Sequence, residues 1–247
     1  MASPREELQR LSASLRELVE FQRRAGLQWL EGTLPPAPVE AAWTIPTAAP
    51  VSAARTAAAP RPELAEIRRE LGDCRRCKLW QTRTHLVFGT GNPQARLMFI
   101  GEGPGAEEDQ QGEPFVGAAG QLLNRLLDRL GLQRAEVYIT NVVKCRPPHN
   151  RNPETDEIAA CRPFLEQQIQ AIHPRVIVTL GAVATHALLA AKAPLSRLRG
   201  RWQKWQDIPV MPTFHPSYLL RVPQERRKTW EDMQKVVAHL REDDQGS

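Results

Sequence analysis

Residues 97–123 read LMFIGEGPGAEEDQQGEPFVGAAGQLL. Leu97 to Ile100 is an apolar run of strand length that meets Gly101, Gly103, Pro104 and Gly105 within five residues. A strand that ends in so many glycines must bend sharply, or must let a ligand approach its N–H groups. Glu107, Glu108 and Asp109 come next, then an aromatic, Phe115, then a small-residue helix start at Gly117 to Gly120. In an open parallel sheet, ligands sit beyond the carboxyl ends of the strands. This turn is therefore the first candidate for a site.

Three more apolar runs lie at Val137–Thr140, Val176–Leu180 and Val210–Phe214. Helical patterns lie between them at about 118–131, 155–172 and 181–192, and a last one covers about 226–241. Strands alternating with helices predict βαβ units, a mostly parallel sheet and helices on both faces. The residues just past each strand are chemically loaded: Gly101-Glu102-Gly103, Asn141, Gly181-Ala182 and His215-Pro216-Ser217. If the strands are parallel, an amide, an imidazole, glycine N–H groups and carboxylates converge with Phe115 on one sheet edge. That inventory suits a planar polar heterocycle, stacked by the aromatic and read along its edge by the amide.

Upstream, Ser3-Pro4-Arg5-Glu6 is a capping box with proline at the first helical position. Leu8, Leu11, Leu15 and Leu18 continue it at helical spacing. This predicts an amphipathic N-terminal helix within residues 1–32, a candidate to dock on a protein partner or on the main domain. Residues 33–62 hold ten alanines and seven prolines, which predicts a semi-extended tether. The main domain is expected over 63–247, opening with a helix at Glu63 to Leu71. No apolar run approaches the roughly 18–20 residues of a membrane span. The first residues, MASPREELQR, lack the apolar segment of a secretory signal, so a cytoplasmic monomer is expected. The net charge of +5 favours a polyanionic partner. Basic runs flank the proposed edge: Lys144, Arg146 and Arg151, and Lys192 to Lys204, both without an acid, then Arg221, Arg226, Arg227 and Lys228. They are candidate phosphate contacts.

Four cysteines occur, at Cys74, Cys77, Cys145 and Cys161. In a reducing compartment, four thiols with one C-x-x-C pair suit a four-thiolate metal or cluster site.

GEGPGAEEDQQGEPFVGAAGQLL, ITNVVKCRPP and HPSYLL stand in this order with C-x2-C-x67-C-x15-C. Together they resemble the family 4 uracil-DNA glycosylases, the iron–sulfur type, over about residues 66–241. The resemblance implies an α/β/α fold with a central four-stranded parallel sheet. It implies excision of uracil from DNA by hydrolysis of the N-glycosidic bond, and a [4Fe-4S] cluster on the four cysteines. Zinc is the rival for these thiols, and the long spacing is poor for a compact zinc finger. Another deaminated base such as hypoxanthine, or a non-catalytic DNA-binding module, are the competing functions.

On this resemblance the base is flipped into the pocket. Phe115 stacks on it, Asn141 pairs with its O4 and N3 edge, and His215 faces O2. Backbone N–H groups around Gly101, Glu102 and Gly103 then stabilise the leaving anion with His215. Glu102 is the first choice for the site carboxylate, Glu108 the second and Asp109 the third. Gly103 stands where many related glycosylases carry an aspartate or asparagine. Ser217 is expected on a phosphate, Leu219 as the wedge filling the vacated stack, and Arg221 near the backbone. A related group carries an inserted loop whose histidine traps the abasic site. That insertion is missing around His149, so ordinary turnover is expected. His85, His149, His173, His186 and His239 are read as structural.

Overall fold

The computed structural model describes residues 62–245. The N-terminal helix expected within residues 1–32 lies outside these, as does the tether over 33–62 apart from Pro62. Eight helices and six strands are found among the described residues. In chain order they are α1 (Leu64–Leu71), β1 (Thr90–Gly91), β2 (Leu97–Gly101), α2 (Ala106–Gln111), α3 (Ala118–Leu130), β3 (Tyr138–Asn141), α4 (Thr155–Ile172), β4 (Val176–Leu180), α5 (Ala182–Leu189), α6 (Leu195–Leu198), β5 (Gln203–Trp205), β6 (Ile208–Thr213), α7 (Pro216–Arg221) and α8 (Arg226–Gln245). Among these described helices none is long and apolar enough to cross a membrane.

The sheet runs in the order β1-β3-β2-β4-β6-β5. Its four middle strands pair parallel, and β1 and β5 add antiparallel edges. The sheet is thus six-stranded rather than four-stranded. The extra strands are two and three residues long, too short to show a period of two in the sequence. β5 and β6 form a hairpin across Gln206-Asp207, with Trp205 opposite Ile208 and Gln206 at φ 51°. A positive φ at the first turn residue matches the twist of two-residue hairpins.

Strand residues alternate strictly between the two faces. Leu97, Phe99, Ile139, Val176, Val178 and Met211 pack with Leu123 and Leu127 of α3 and Met233 and Val236 of α8. Met98, Ile100, Tyr138, Ile177 and Val210 pack with Leu165 and Ile169 of α4 and Ala184 and Leu188 of α5. This is an α/β/α sandwich, and the β2, β3 and β4 side chains are all buried, as a sheet covered on both faces requires. Ile67 and Leu71 of α1 form a smaller cluster with Phe88 and Phe164 of α4.

The topology sets the site. The chain steps from β2 outward to β3, then returns past β2 to β4 and on to β6. The reversal falls at β2, so the carboxyl ends of β3, β2, β4 and β6 stand side by side where open α/β sheets bind ligands. Gly101 and Asn141 are direct neighbours in the β2–β3 register.

Candidate active site

A cavity of about 430 Å³ opens at this edge. Glu102, Glu108, Phe115, Asn141 and His215 all line it, with Gly103, Ser217 and Arg221. The structure therefore brings together residues from the carboxyl ends of the parallel strands and from the loops that follow them.

Asn141 is 1 % exposed, and its amide oxygen is buried without a hydrogen-bond partner. A buried acceptor left unpaired costs roughly 1–3 kcal/mol. That cost is recovered by a ligand that donates a hydrogen there. Phe115 packs beside it with its backbone at φ 55°, a left-handed conformation uncommon outside glycine. Such strain persists only where the surroundings over-determine it, and here they do. Glu108 accepts the backbone N–H groups of Val116 and Gly117, each at 3.0 Å, and that of Gly105 at 3.1 Å. Arg134 donates to the Pro114 carbonyl and to Asn124 Oδ1. A carboxylate and a guanidinium thus grip the chain on both sides of Phe115. A Cβ on Gly120 would run into the Phe115 backbone. A Cβ on Gly101 would lie 2.6 and 2.7 Å from Phe115 ring carbons, and closer still to Asn141 Oδ1. Both glycines let the base-facing groups close up.

His215 stands just past β6 and caps α7. The Ser217 backbone N–H donates to its Nδ1 at 3.1 Å, and the Ser217 hydroxyl lies 2.7 Å from the same nitrogen. Nδ1 is therefore an acceptor, which leaves the ring hydrogen on Nε2. Burial pushes the His215 pKa down to about 4, so the ring is neutral at physiological pH. Its ring centre is 5.6 Å from that of Phe115. Glu102 is half-buried, and desolvation raises its pKa. Among the described residues its carboxyl has no hydrogen-bond or ion-pair partner, whereas both Glu108 oxygens are committed to backbone.

The opposite wall is Pro147, Asn150, Arg151 and Asn152. His149 and Asn150 sit at φ 54° and 56°, folding this loop back on itself. Arg151 pairs in bidentate fashion with buried Glu157, at 2.8 and 2.6 Å. Lys78, just past Cys77, binds Glu154 and also reaches Asp156.

The wall is held between Cys145 and Cys161, and these two sulfurs interact electrostatically with each other and with Cys77; Cys161 also feels Cys74. Each of the four sulfurs carries an N–H donor. Arg76 Nη1 lies 3.4 Å from Cys74 Sγ, and Arg83 Nη1 lies 3.1 Å from Cys145 Sγ. The Leu79 backbone serves Cys77, and the Lys144 backbone serves Cys161. Donors of this kind stabilise thiolates and orient metal ligands. Among the described residues no three His, Cys, Asp or Glu side chains close around a point that one metal ion could fill. Four thiols, each with an N–H donor, are a donor set of the chemistry that four-thiolate metal or cluster sites use.

Several expected residues stand elsewhere. Leu219 is 4 % exposed and lies in the core side of α7, while Leu220 is 38 % exposed. A buried side chain cannot enter a base stack, so the outward-facing leucine is Leu220. Lys144 is fully buried and makes no surface contact. Arg151 is tied to Glu157, and Arg199 to Asp232. Asp109 is buried and accepts the Thr84 and His85 backbone N–H groups, away from the cavity. Arg221 is exposed at the cavity rim. Ser217 engages His215 rather than standing free. Of the other histidines, His85 bonds the Asp109 carbonyl, His186 the Ala193 carbonyl, and His239 packs at a tilt against Trp202. Arg134, Asn150 and Asn152 carry no signal in the sequence that marks them for a site. Arg134 sits in a helix–strand connection with no motif, and its role depends on long-range contact.

The pattern describing the uracil DNA glycosylase superfamily matches residues 88–241. The chain is 47% identical over 182 residues to a type-4 uracil-DNA glycosylase of Sulfurisphaera tokodaii, covering 70% of this chain and 83% of that protein. It is 47% identical over 188 residues to one from Thermotoga maritima, covering 74% and 98%. To one from Archaeoglobus fulgidus it is 43% identical over 183 residues, covering 70% and 91%. The chain belongs to the uracil-DNA glycosylase superfamily and, within it, to the type-4 group.

Proposed function

We propose that this chain excises uracil from DNA by hydrolysing the bond between the base and its deoxyribose, leaving an abasic site. The observation that carries the reading is the orphaned amide oxygen of Asn141 in a cavity shared with Phe115 and a neutral His215. Uracil offers an N3–H donor beside the O4 acceptor. Asn141 matches both, with Oδ1 accepting and Nδ2 donating. Cytosine presents an acceptor at N3 and an amino group at C4, so both contacts would be mispaired. A site built this way discriminates strongly because the wrong base leaves buried polar groups unpaired.

A base inside a duplex must be extruded to reach the cavity. Phe115 then stacks on the flipped ring. As the glycosidic bond breaks, its electron pair moves onto the uracil ring and O2 gains negative charge. The Nε2–H of His215 donates there. A neutral donor suffices, and it costs no reorganisation because Ser217 already holds the ring. The sugar becomes cationic at the same time. Glu102, with its carboxylate unengaged, offsets that charge and orients the attacking water. Glu108 acts on the loop rather than on the water, because its oxygens already accept three backbone N–H groups. Arg221 at the rim meets a phosphate, and Leu220 fills the space the base leaves. Cys74, Cys77, Cys145 and Cys161 would hold a [4Fe-4S] cluster, and their joint ligation would tie the loop before β1 to the chain on either side of the 147–152 wall.

The test is release of free base from oligonucleotides carrying one uracil, thymine or hypoxanthine. Release of uracil alone is expected. Release of hypoxanthine but not uracil would refute the reading, as would binding without release.

A further inference from the structure

Lys144 stands three residues after Asn141 and one before Cys145, and it is wholly enclosed. An ammonium has three N–H donors. Here each meets a neutral acceptor: Thr140 Oγ1 at 2.7 Å, the Asn141 carbonyl at 2.7 Å and Gln168 Oε1 at 2.6 Å. Those acceptors are themselves aimed. The Thr140 hydroxyl donates to the Phe88 carbonyl, and the Gln168 amide donates to the same carbonyl and toward the Tyr138 hydroxyl. Their donors are used up, so each turns a lone pair to Nζ. No carboxylate reaches this ammonium among the described residues. The Lys144 backbone N–H meanwhile donates to the Cys161 sulfur.

Burying a cation without a carboxylate is expensive, and an apolar residue of similar volume would serve packing alone at less cost. The cage therefore needs a reason beyond core filling, and its contacts supply one. Asn141 is the last residue of β3, and beyond it the chain leaves the sheet for the cysteine loop. We propose that Lys144 is the positioning residue that fixes Asn141 for base reading and ties it to the four-cysteine site. The ammonium holds the Asn141 carbonyl, so the peptide carrying the reading amide cannot swing with the loop. The backbone of the same residue is pinned at Cys161. The proposal rests on the reading of Asn141 as the group that recognises uracil.

The test uses full-length protein purified anaerobically with its iron. Inhibition by free uracil is measured beside affinity for a duplex carrying a tetrahydrofuran abasic analogue, and iron content is recorded. Lys144→Met is expected to weaken uracil inhibition at least tenfold while leaving abasic-duplex affinity within twofold. Lys144→Arg recovers part of the loss. Combined with Asn141→Ala, Lys144→Met adds nothing, because both act through one contact. Wild-type inhibition by uracil in Lys144→Met overturns the proposal, as do additive losses in the double variant. Should Lys144→Met fail to accumulate, Gln168→Met loosens one of the three bonds with the lysine in place. A threefold weakening of uracil inhibition is expected there, and no change overturns the proposal. If instead the reading of Asn141 fails, uracil does not inhibit the unmodified protein and Asn141→Ala changes nothing.

Discussion

Gly101→Ala adds one methyl group at the point where the site is tightest. The new Cβ would sit 2.6 and 2.7 Å from Phe115 ring carbons, where ordinary contact begins at 3.4 Å. It would press still harder on Asn141 Oδ1. Relief needs a shift of roughly 0.8 Å, and a misplacement of about 1 Å in a reacting geometry costs on the order of 100-fold. Phe115 is poorly placed to yield. Its backbone is gripped by Glu108 and Arg134 and lies against Gly120, where there is no room for a Cβ. Asn141 is enclosed and at the end of a strand. The expected outcome is a fall of about 100-fold in kcat/KM for uracil release, which is about 2.7 kcal/mol of lost transition-state stabilisation. Overpacking should also cost about 1–3 kcal/mol of stability, lowering Tm by roughly 2–4 °C per kcal/mol in a domain of this size. Gly131→Ala is the control, because its Cβ meets nothing within 4 Å and it does not line the cavity, so its positive φ costs stability without touching Asn141 or Phe115. The assay is single-turnover uracil release with a melting curve on the same samples. A Gly101→Ala enzyme within threefold of the unmodified rate would refute the claim that Asn141 and Phe115 form one closely spaced base-reading unit.

The same geometry makes other outcomes testable. Leu219→Ala should cost about 2–5 kcal/mol of stability as a core truncation, whereas Leu220→Ala should leave Tm unchanged and slow release from duplex more than from single strands; equal effects on stability would contradict the assignment of faces. Because burial raises the Glu102 pKa, uracil release should fall with acid through a value above the ordinary carboxylate range, and Glu102→Gln should be slow with that limb abolished. His215 contributes to stability with the opposite shift. Its folded pKa of about 4 lies below the unfolded value of about 6.5, so the unfolded chain takes up a proton the folded one refuses. Stability should therefore fall by about 3 kcal/mol between pH 6.5 and pH 4, with no contribution above pH 6.5. Denaturant titrations of His215→Asn should show a shallower loss across that window. Oxidative removal of iron should release the 147–152 wall, seen as faster amide exchange there, while exchange in β2 and β4 stays slow.

The parallel strands were legible because each is a compact run of aliphatic and aromatic residues, buried on both faces. The site was legible for a topological reason. Gly101, Asn141, Gly181 and His215 each stand at the end of a parallel strand, and parallel strands deliver those ends to one edge. What escaped the sequence depends on contacts without a local signature. The edge strands Thr90–Gly91 and Gln203–Trp205 carry too few residues for alternation. The six residues of α7 do not fix which of two adjacent leucines faces out. Lys144 reads as one more surface cation until the fold closes Gln168 and Thr140 over it. Glu108 reads as a candidate carboxylate of the site and Arg134 carries no motif, and only the tertiary structure shows both clamping the strained Phe115 backbone.

The most direct test of the account is base specificity in the unmodified chain and in Asn141→Asp, with free base quantified from matched oligonucleotides carrying uracil or cytosine. The aspartate keeps the shape of the side chain but replaces the amide donor with an acceptor. The unmodified chain is expected to release uracil and no cytosine, and Asn141→Asp is expected to lose uracil release by at least 100-fold, with cytosine release appearing. Uracil release undiminished in Asn141→Asp, or absent from the unmodified, iron-bearing protein, would contradict it.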